Sequence, residues 1–195
     1  MEDEERIKRL VKEAVEKALN PKPEHMTHLR GNNLVPKDHP RIAFRGAIDS
    51  LESEIILLQI LTQKKGLDTL TKDLDEIIGL IRRLLRCEVS EEPVGEFTLQ
   101  GLSDKELRAH SHHPSQFYGM KHFLPDYRKG EIPAYLNRLR TKTRETELIA
   151  YRAFCREDKS VEREDILTAL NRLSSLFWIM MFKYLTGKYE TTKSL

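Results

Sequence analysis

Two arginines one helical turn apart, Arg140 and Arg144, stand in the segment Arg140-Thr-Lys-Thr-Arg144-Glu-Thr-Glu147. At 100° per residue, Arg140, Arg144 and Glu147 fall within about 60° of one another on one helical stripe. That stripe borders an apolar seam of Leu136, Leu139, Thr143 and Ala150, so it lies at the margin of buried surface. Guanidiniums this close repel unless an anion lies between them, and a polyphosphate suits the gap because Arg forks bind phosphate oxygens bidentately. Taken alone, the pattern has a simpler account: a solvated charged face with Glu147 pairing Arg144 at i, i+3.

Two other polar residues sit beside apolar ones. Asp49 lies one residue off a seam of Ile48, Leu51, Ile55, Leu58 and Thr62, and Asn171 lies between Leu170 and Leu173. Each alone reads plainly, as a surface acid and as a satisfied core amide. His110, His112 and His113 cluster in one Pro-bounded segment with His122 nearby. No carboxylate or thiolate stands at ligand spacing beside them, so no metal site is expected.

Helices must hold these groups, because apolar residues recur at helical spacing through most of the chain. Residues 3–19 carry Ile7, Leu10, Val11, Ala14, Val15, Ala18 and Leu19 on one face, with acids in the first turn. This predicts an amphipathic leader over residues 1–20, ended by Asn20 and Pro21-Lys22-Pro23. A second helix is predicted from near Pro40 to about Lys65. Its neighbours Ile56, Leu57, Ile60 and Leu61 are apolar too, so two buried faces are expected. A third follows from about Asp68 to Val89. Residues 90–130 break the pattern with prolines and glycines, leaving a long loop with one short helix, Ser103–Arg108, closed by a Ser103/Glu106 capping box. Helix resumes from about Ile132 to Glu157 and from about Glu162 to Thr186. Strand signals are nearly absent. The predicted architecture is an all-α bundle of four long helices plus the leader, with a helical domain over 25–187 and a flexible tail over 188–195.

Composition narrows the function classes. Lys+Arg 33 against Asp+Glu 31 nearly cancel, so no global basic field points to nucleic acid. The longest apolar run, Leu176–Phe182, falls far short of the roughly 20 residues that span a bilayer. The acidic start does not resemble a secretory signal. Two cysteines, Cys87 and Cys155, form no CxxC pair. A soluble, cytoplasmic chain with reduced thiols is expected.

Lys37 and Arg41, Gly46 and Asp49, the run from Leu136 through Arg140 and Arg144 to Glu147, and Asn171 through Ser174 occur in this order. Together they resemble the ATP:corrinoid adenosyltransferases of the propanediol-utilisation type, five-helix up-down bundles that assemble as trimers. The ethanolamine-utilisation branch of those enzymes is more similar still. It matches at Thr27-His28-Leu29, Gly101-Leu-Ser-Asp104, Ser111-His112, Pro114, Arg144-Glu-Thr-Glu147 and Ala169 through Ser175, covering roughly residues 25 to 186. There are departures. The glycine-rich phosphate loop is reduced to Thr27-His-Leu-Arg-Gly31-Asn-Asn33, Glu145 replaces an arginine, and Ser175 replaces an aspartate. The H-x(11)-C-C-x-x-C metal segment of many ethanolamine-type relatives does not occur in this sequence, so no metal dependence through it is expected.

The resemblance implies attack by cob(I)alamin on C5′ of ATP, forming adenosylcobalamin and releasing triphosphate, with Mg2+ accompanying the nucleotide and a flavin-type reductant supplying reduced corrinoid. It implies that Arg140 and Arg144 clamp triphosphate, with Lys37, Arg41 and Thr27 also on ATP. Asp49 would orient Arg140, Glu147 would hold Arg144 or the nucleotide, and Asn171 would hydrogen-bond ATP. On the corrinoid side it implies an aromatic wedge displacing the lower axial ligand. Phe123 before Leu124-Pro125 is its first positional counterpart and Phe117 the second, with His112 in contact with the corrinoid. A site between subunits of a homotrimer follows. The leader also resembles peptides that dock cargo to bacterial microcompartment shells. A non-catalytic corrinoid carrier or sensor is the alternative function.

Overall fold

The computed structural model describes residues 2–19 and 22–189. The chain runs α1 (Glu2–Leu19), β1 (Met26–Arg30), β2 (Asn33–Pro36), α2 (Pro40–Lys64), α3 (Asp68–Ser90), α4 (Asp104–His112), α5 (Pro114–Tyr118), a 3₁₀ turn (Tyr127–Lys129), α6 (Glu131–Phe154) and α7 (Glu164–Leu185). The expected all-α class holds. Four long helices make the bundle: α6 packs against both α2 and α7, α2 also packs against α3, and α4 lies on α7. Lys65–Glu131 at 3.1 Å and Arg138–Glu54 at 2.9 Å bridge α2 and α6 at successive levels, which fixes the pair as antiparallel.

Local chemistry sets the boundaries. Pro40 starts α2 with its φ already helical, and the His39 side chain accepts a hydrogen bond from the Arg41 amide at 3.2 Å. Ser103 and Glu106 form the expected capping box, but α4 runs on to His112. Gly130, at φ +95°, lets the chain turn sharply into α6. The core is continuous from Ile48, Leu51 and Ile55 of α2 and Leu74, Ile77 and Ile81 of α3 to Leu136 and Leu139 of α6 and Leu170, Leu173 and Phe177 of α7. Each such burial contributes about 1.5–3 kcal/mol.

Four features depart from the expectations. A two-stranded antiparallel hairpin forms over residues 26–36, turned by Gly31-Asn32 with Gly31 at φ +51°. Its strands are too short to announce themselves by alternation. Helix α2 buries one face rather than two, for Ile56, Leu57 and Ile60 are 37%, 63% and 45% exposed. The tail begins later than residue 188. Tyr189 is buried and its hydroxyl donates to Asp73 Oδ2 at 2.6 Å, so the fold keeps residues 188 and 189, while 190–195 lie outside the described residues. In α1, Ile7, Leu10, Val11 and Val15 are all exposed, so these members of the apolar stripe do not enter the bundle core. Among the described residues, no helix is long and apolar enough to cross a membrane.

Beneath the start of α2 lies a charge cluster. Glu88 of α3 is fully buried; its carboxylate accepts from Arg41 Nε at 2.5 Å and from Arg45 Nε at 2.6 Å. The Glu88 carbonyl accepts from Arg41 Nη2 at 2.9 Å. Both arginines are thereby fixed across the α2–α3 seam.

Candidate functional site

The arginine stripe faces α7. Arg140 donates from Nε to Asn137 Oδ1 at 3.1 Å, and its guanidinium carbon lies 5.3 Å from the centroid of the Trp178 ring. Among the described residues, no carboxylate forms an ion pair with it. Burial, reinforced by the neighbouring Arg144 charge, pulls its pKa below the usual arginine range. The guanidinium is therefore partly desolvated and balanced only by an amide oxygen and an aromatic face.

Arg144 opens onto a cleft of about 290 Å3 lined with Glu147, Leu148, Tyr151, Leu167 and Asn171. Glu147 does not pair with Arg144. Its Oε1 accepts from Asn171 Nδ2 at 3.0 Å instead, which decides against the self-neutralised charged face. Asn171 Oδ1 accepts in turn from Arg172 Nη1 at 2.6 Å, and Arg172 is paired with Asp104 at the start of α4. A chain of polar contacts thus ties α6 to α7 and α4. Two cations stand side by side on its edge, with no protein anion bound to either among the described residues. Such an arrangement suits a multiply charged anion.

Other sequence candidates fall elsewhere. Asp49 is exposed on α2, and no side-chain partner is present for it among the described residues, so the expected ion pair with Arg140 does not form within one chain. At 100° per residue, Asp49 shares a stripe of α2 with Ser53, Ile56 and Ile60, whereas Arg140 turns to Trp178 of α7. Arg41 is committed to Glu88 and does not join the stripe. Lys37 lies 3.9 Å from Glu24, largely exposed, and Thr27 pairs with Val35 in the hairpin. The structure therefore brings together Arg140, Arg144, Glu147 and Asn171, and leaves Thr27, Lys37, Arg41 and Asp49 apart from them.

The aromatic candidates converge at the other end of the stripe. Phe123 stacks on Trp178 at 4.9 Å, meets Phe182 edge-on at 5.1 Å, and carries the Lys129 ammonium 4.6 Å from its ring centroid. Beside it is a cleft of about 250 Å3 lined by Pro125, Tyr127, Pro133, Asn137 and Met181 among others. Phe117 instead stacks on His110 at 3.7 Å. His110 Nδ1 is 2.8 Å from the Tyr118 hydroxyl; burial raises that phenol to about 12 and lowers the imidazole. His112 is exposed, and its carbonyl accepts from His122 Nε2 at 3.2 Å. Among the described residues, no three His, Cys, Asp or Glu side chains converge to hold a metal ion.

Sequence reasoning missed Trp178. It follows Asn171 by seven residues, hence lies on the same stripe of α7, and that spacing was the available signal.

A helical bundle with an unneutralised arginine pair beside an aromatic loop is the arrangement of a helical-bundle adenosyltransferase, and the chain belongs to the cobalamin adenosyltransferase family, whose model matches residues 18–184. It is 36% identical over 174 residues to the corrinoid adenosyltransferase EutT of Escherichia coli strain K12, covering 89% of this chain and 64% of that protein. Over 160 residues it is 37% identical to the corrinoid adenosyltransferase EutT of Salmonella typhimurium, covering 82% of this chain and 58% of that protein. The chain thus spans less than two thirds of the length of these relatives.

Proposed function

We propose that this protein transfers the 5′-deoxyadenosyl group of ATP to cob(I)alamin, releasing triphosphate, in ethanolamine utilisation. The observation that carries the proposal is the partly buried Arg140 beside Arg144, neither of them neutralised by a carboxylate among the described residues. Charge develops on the triphosphate as its bond to C5′ breaks, and donors already in place stabilise it without reorganising. Arg140 and Arg144 are those donors. Asn171 and Glu147 hold each other at the cleft floor and present polar edges to the nucleoside. The corrinoid itself is the nucleophile, so the chain needs no activated Ser or Cys. Mg2+ would enter on the phosphate oxygens of the nucleotide, and a flavin-type reductant would supply the reduced corrinoid. A corrinoid carrier would have no use for the two cations.

The complete site lies between copies. The α2 stripe of Asp49, Ile56 and Ile60 joins an exposed acid to exposed apolar groups. On α6, Arg144 shares a stripe with Leu148 and Tyr151, 60% and 40% exposed. The two stripes match in charge and in apolar surface, and they face different ways. That is the requirement for a head-to-tail ring, and a homotrimer would bring Asp49 of one copy to Arg140 of the next.

Purified protein mixed with chemically reduced cob(I)alamin, ATP and Mg2+ is expected to give the absorbance change of adenosylcobalamin formation; bound corrinoid without product would refute the transferase. Phe123 is the wedge against the lower axial ligand. Phe123→Ala is expected to impair turnover from cob(II)alamin with reductant while largely sparing free cob(I)alamin, and equal losses in both assays would count against the wedge. The exposed stripe of α1 is the contact to a microcompartment shell, in an otherwise cytoplasmic protein. Removing residues 1–20 should then disperse a fluorescent fusion that otherwise collects in compartments, with activity unchanged in solution.

A further inference from the structure

Trp178 is the only tryptophan of the chain, and its indole meets residues from both halves of the site. Arg140 of α6 approaches its ring to 5.3 Å. From the loop before α6, Phe123 stacks at 4.9 Å with 30° between planes, and His122 lies nearly parallel at 6.1 Å. Phe182, one turn further along α7, packs edge-on at 5.1 Å. Arg140 and Phe123 share this one neighbour.

We propose that Trp178 is a positioning residue that couples the nucleotide arginine to the corrinoid-facing loop. The inference rests on the function proposed above. In the empty site the indole holds Arg140 by its π face, an attraction weaker than a bidentate bond to phosphate, so the guanidinium is placed without being captured. When triphosphate draws Arg140 away, the indole loses a neighbour on the side it shares with Phe123, and the loop repacks. Nucleotide occupancy is thus felt at the aromatic wedge, and by linkage corrinoid occupancy is felt equally at the arginine.

The test uses the full chain and three readouts. Inorganic triphosphate alone should change Trp178 emission in the wild type, and Arg140→Met should abolish that change. Trp178→Leu, which keeps apolar bulk without a π face, should raise KM for ATP about three- to thirtyfold, the span of a cation–π contact. It should also remove any dependence of ATP affinity on bound corrinoid, and Trp178→Phe should restore most of both. A merely structural tryptophan would lower the melting temperature and leave both affinities and their coupling unchanged, which overturns the proposal. Unresponsive emission in a wild type that binds triphosphate overturns it as well, even if Trp178→Leu fails to fold. Triphosphate binding and emission are read without turnover, so failure of the transfer reaction itself is seen separately.

Discussion

Arg140→Met is expected to lower kcat/KM for adenosylation about 10²- to 10³-fold, the effect of removing one donor aimed at developing charge. It should do so without lowering the melting temperature. Arg140 is partly buried, desolvated and repelled by Arg144, with only an amide oxygen and an indole for company. A cation in that position costs the fold more than an apolar chain of similar length would, so its loss should leave stability unchanged or improved. Arg140→Lys should recover little, because a point charge on a flexible stem does not reproduce the planar fork. Initial rates with cob(I)alamin and thermal melts on the same preparations check both halves. A drop in melting temperature that parallels the drop in rate would mean the residue serves the fold.

Glu88→Ala should do the opposite. Removing a fully buried carboxylate that satisfies two guanidiniums leaves Arg41 and Arg45, each 18% exposed at the side chain, facing one another over an empty acceptor site. Breaking a buried pair this way costs about 3–5 kcal/mol, a large share of the roughly 5–15 kcal/mol that holds a domain together. At about 2–4 °C per kcal/mol for a chain of this size, the melting temperature should fall by about 6–20 °C. Replacing all three residues by apolar ones of similar volume should recover much of it, since no unpaired charge would remain. Urea titrations of the three proteins read this directly. A shift under about 1 kcal/mol for Glu88→Ala would mean water reaches the cluster.

Helix positions were legible because each long helix buries a stripe at the 3.6 period, and boundaries such as Pro40 and Ser103 carry their own chemistry. The arginine pair was legible because one turn of helix is a fixed distance. Glu88 was legible in principle. It follows Ile81 by seven residues and so extends the apolar seam of α3, while Arg41 and Arg45 precede Ile48 by seven and three on the facing seam of α2. An acid and two arginines on opposed seams predict a buried bridge, which explains why Arg41 is occupied there. The Gly31-Asn32 turn likewise signals a two-residue hairpin that the short strands around it do not. Trp178 and Phe123 are a different case, since they are brought together by how a 40-residue excursion folds back on α7, and no local period encodes that.

Asp49 and the arginine it would serve look away from each other, so in the proposed ring each centre is built from two polypeptides. Two inactive variants should then repair one another. In a mixed ring of Asp49→Asn and Arg140→Met copies, one junction always unites the intact acid of one with the intact arginine of the other. Equal amounts, unfolded and reassembled together, should regain about a quarter of wild-type activity, because three quarters of random rings are mixed and each holds one sound junction in three. Neither variant alone would reach it at any concentration. Inheritance of a defective copy would then be graded rather than all-or-none.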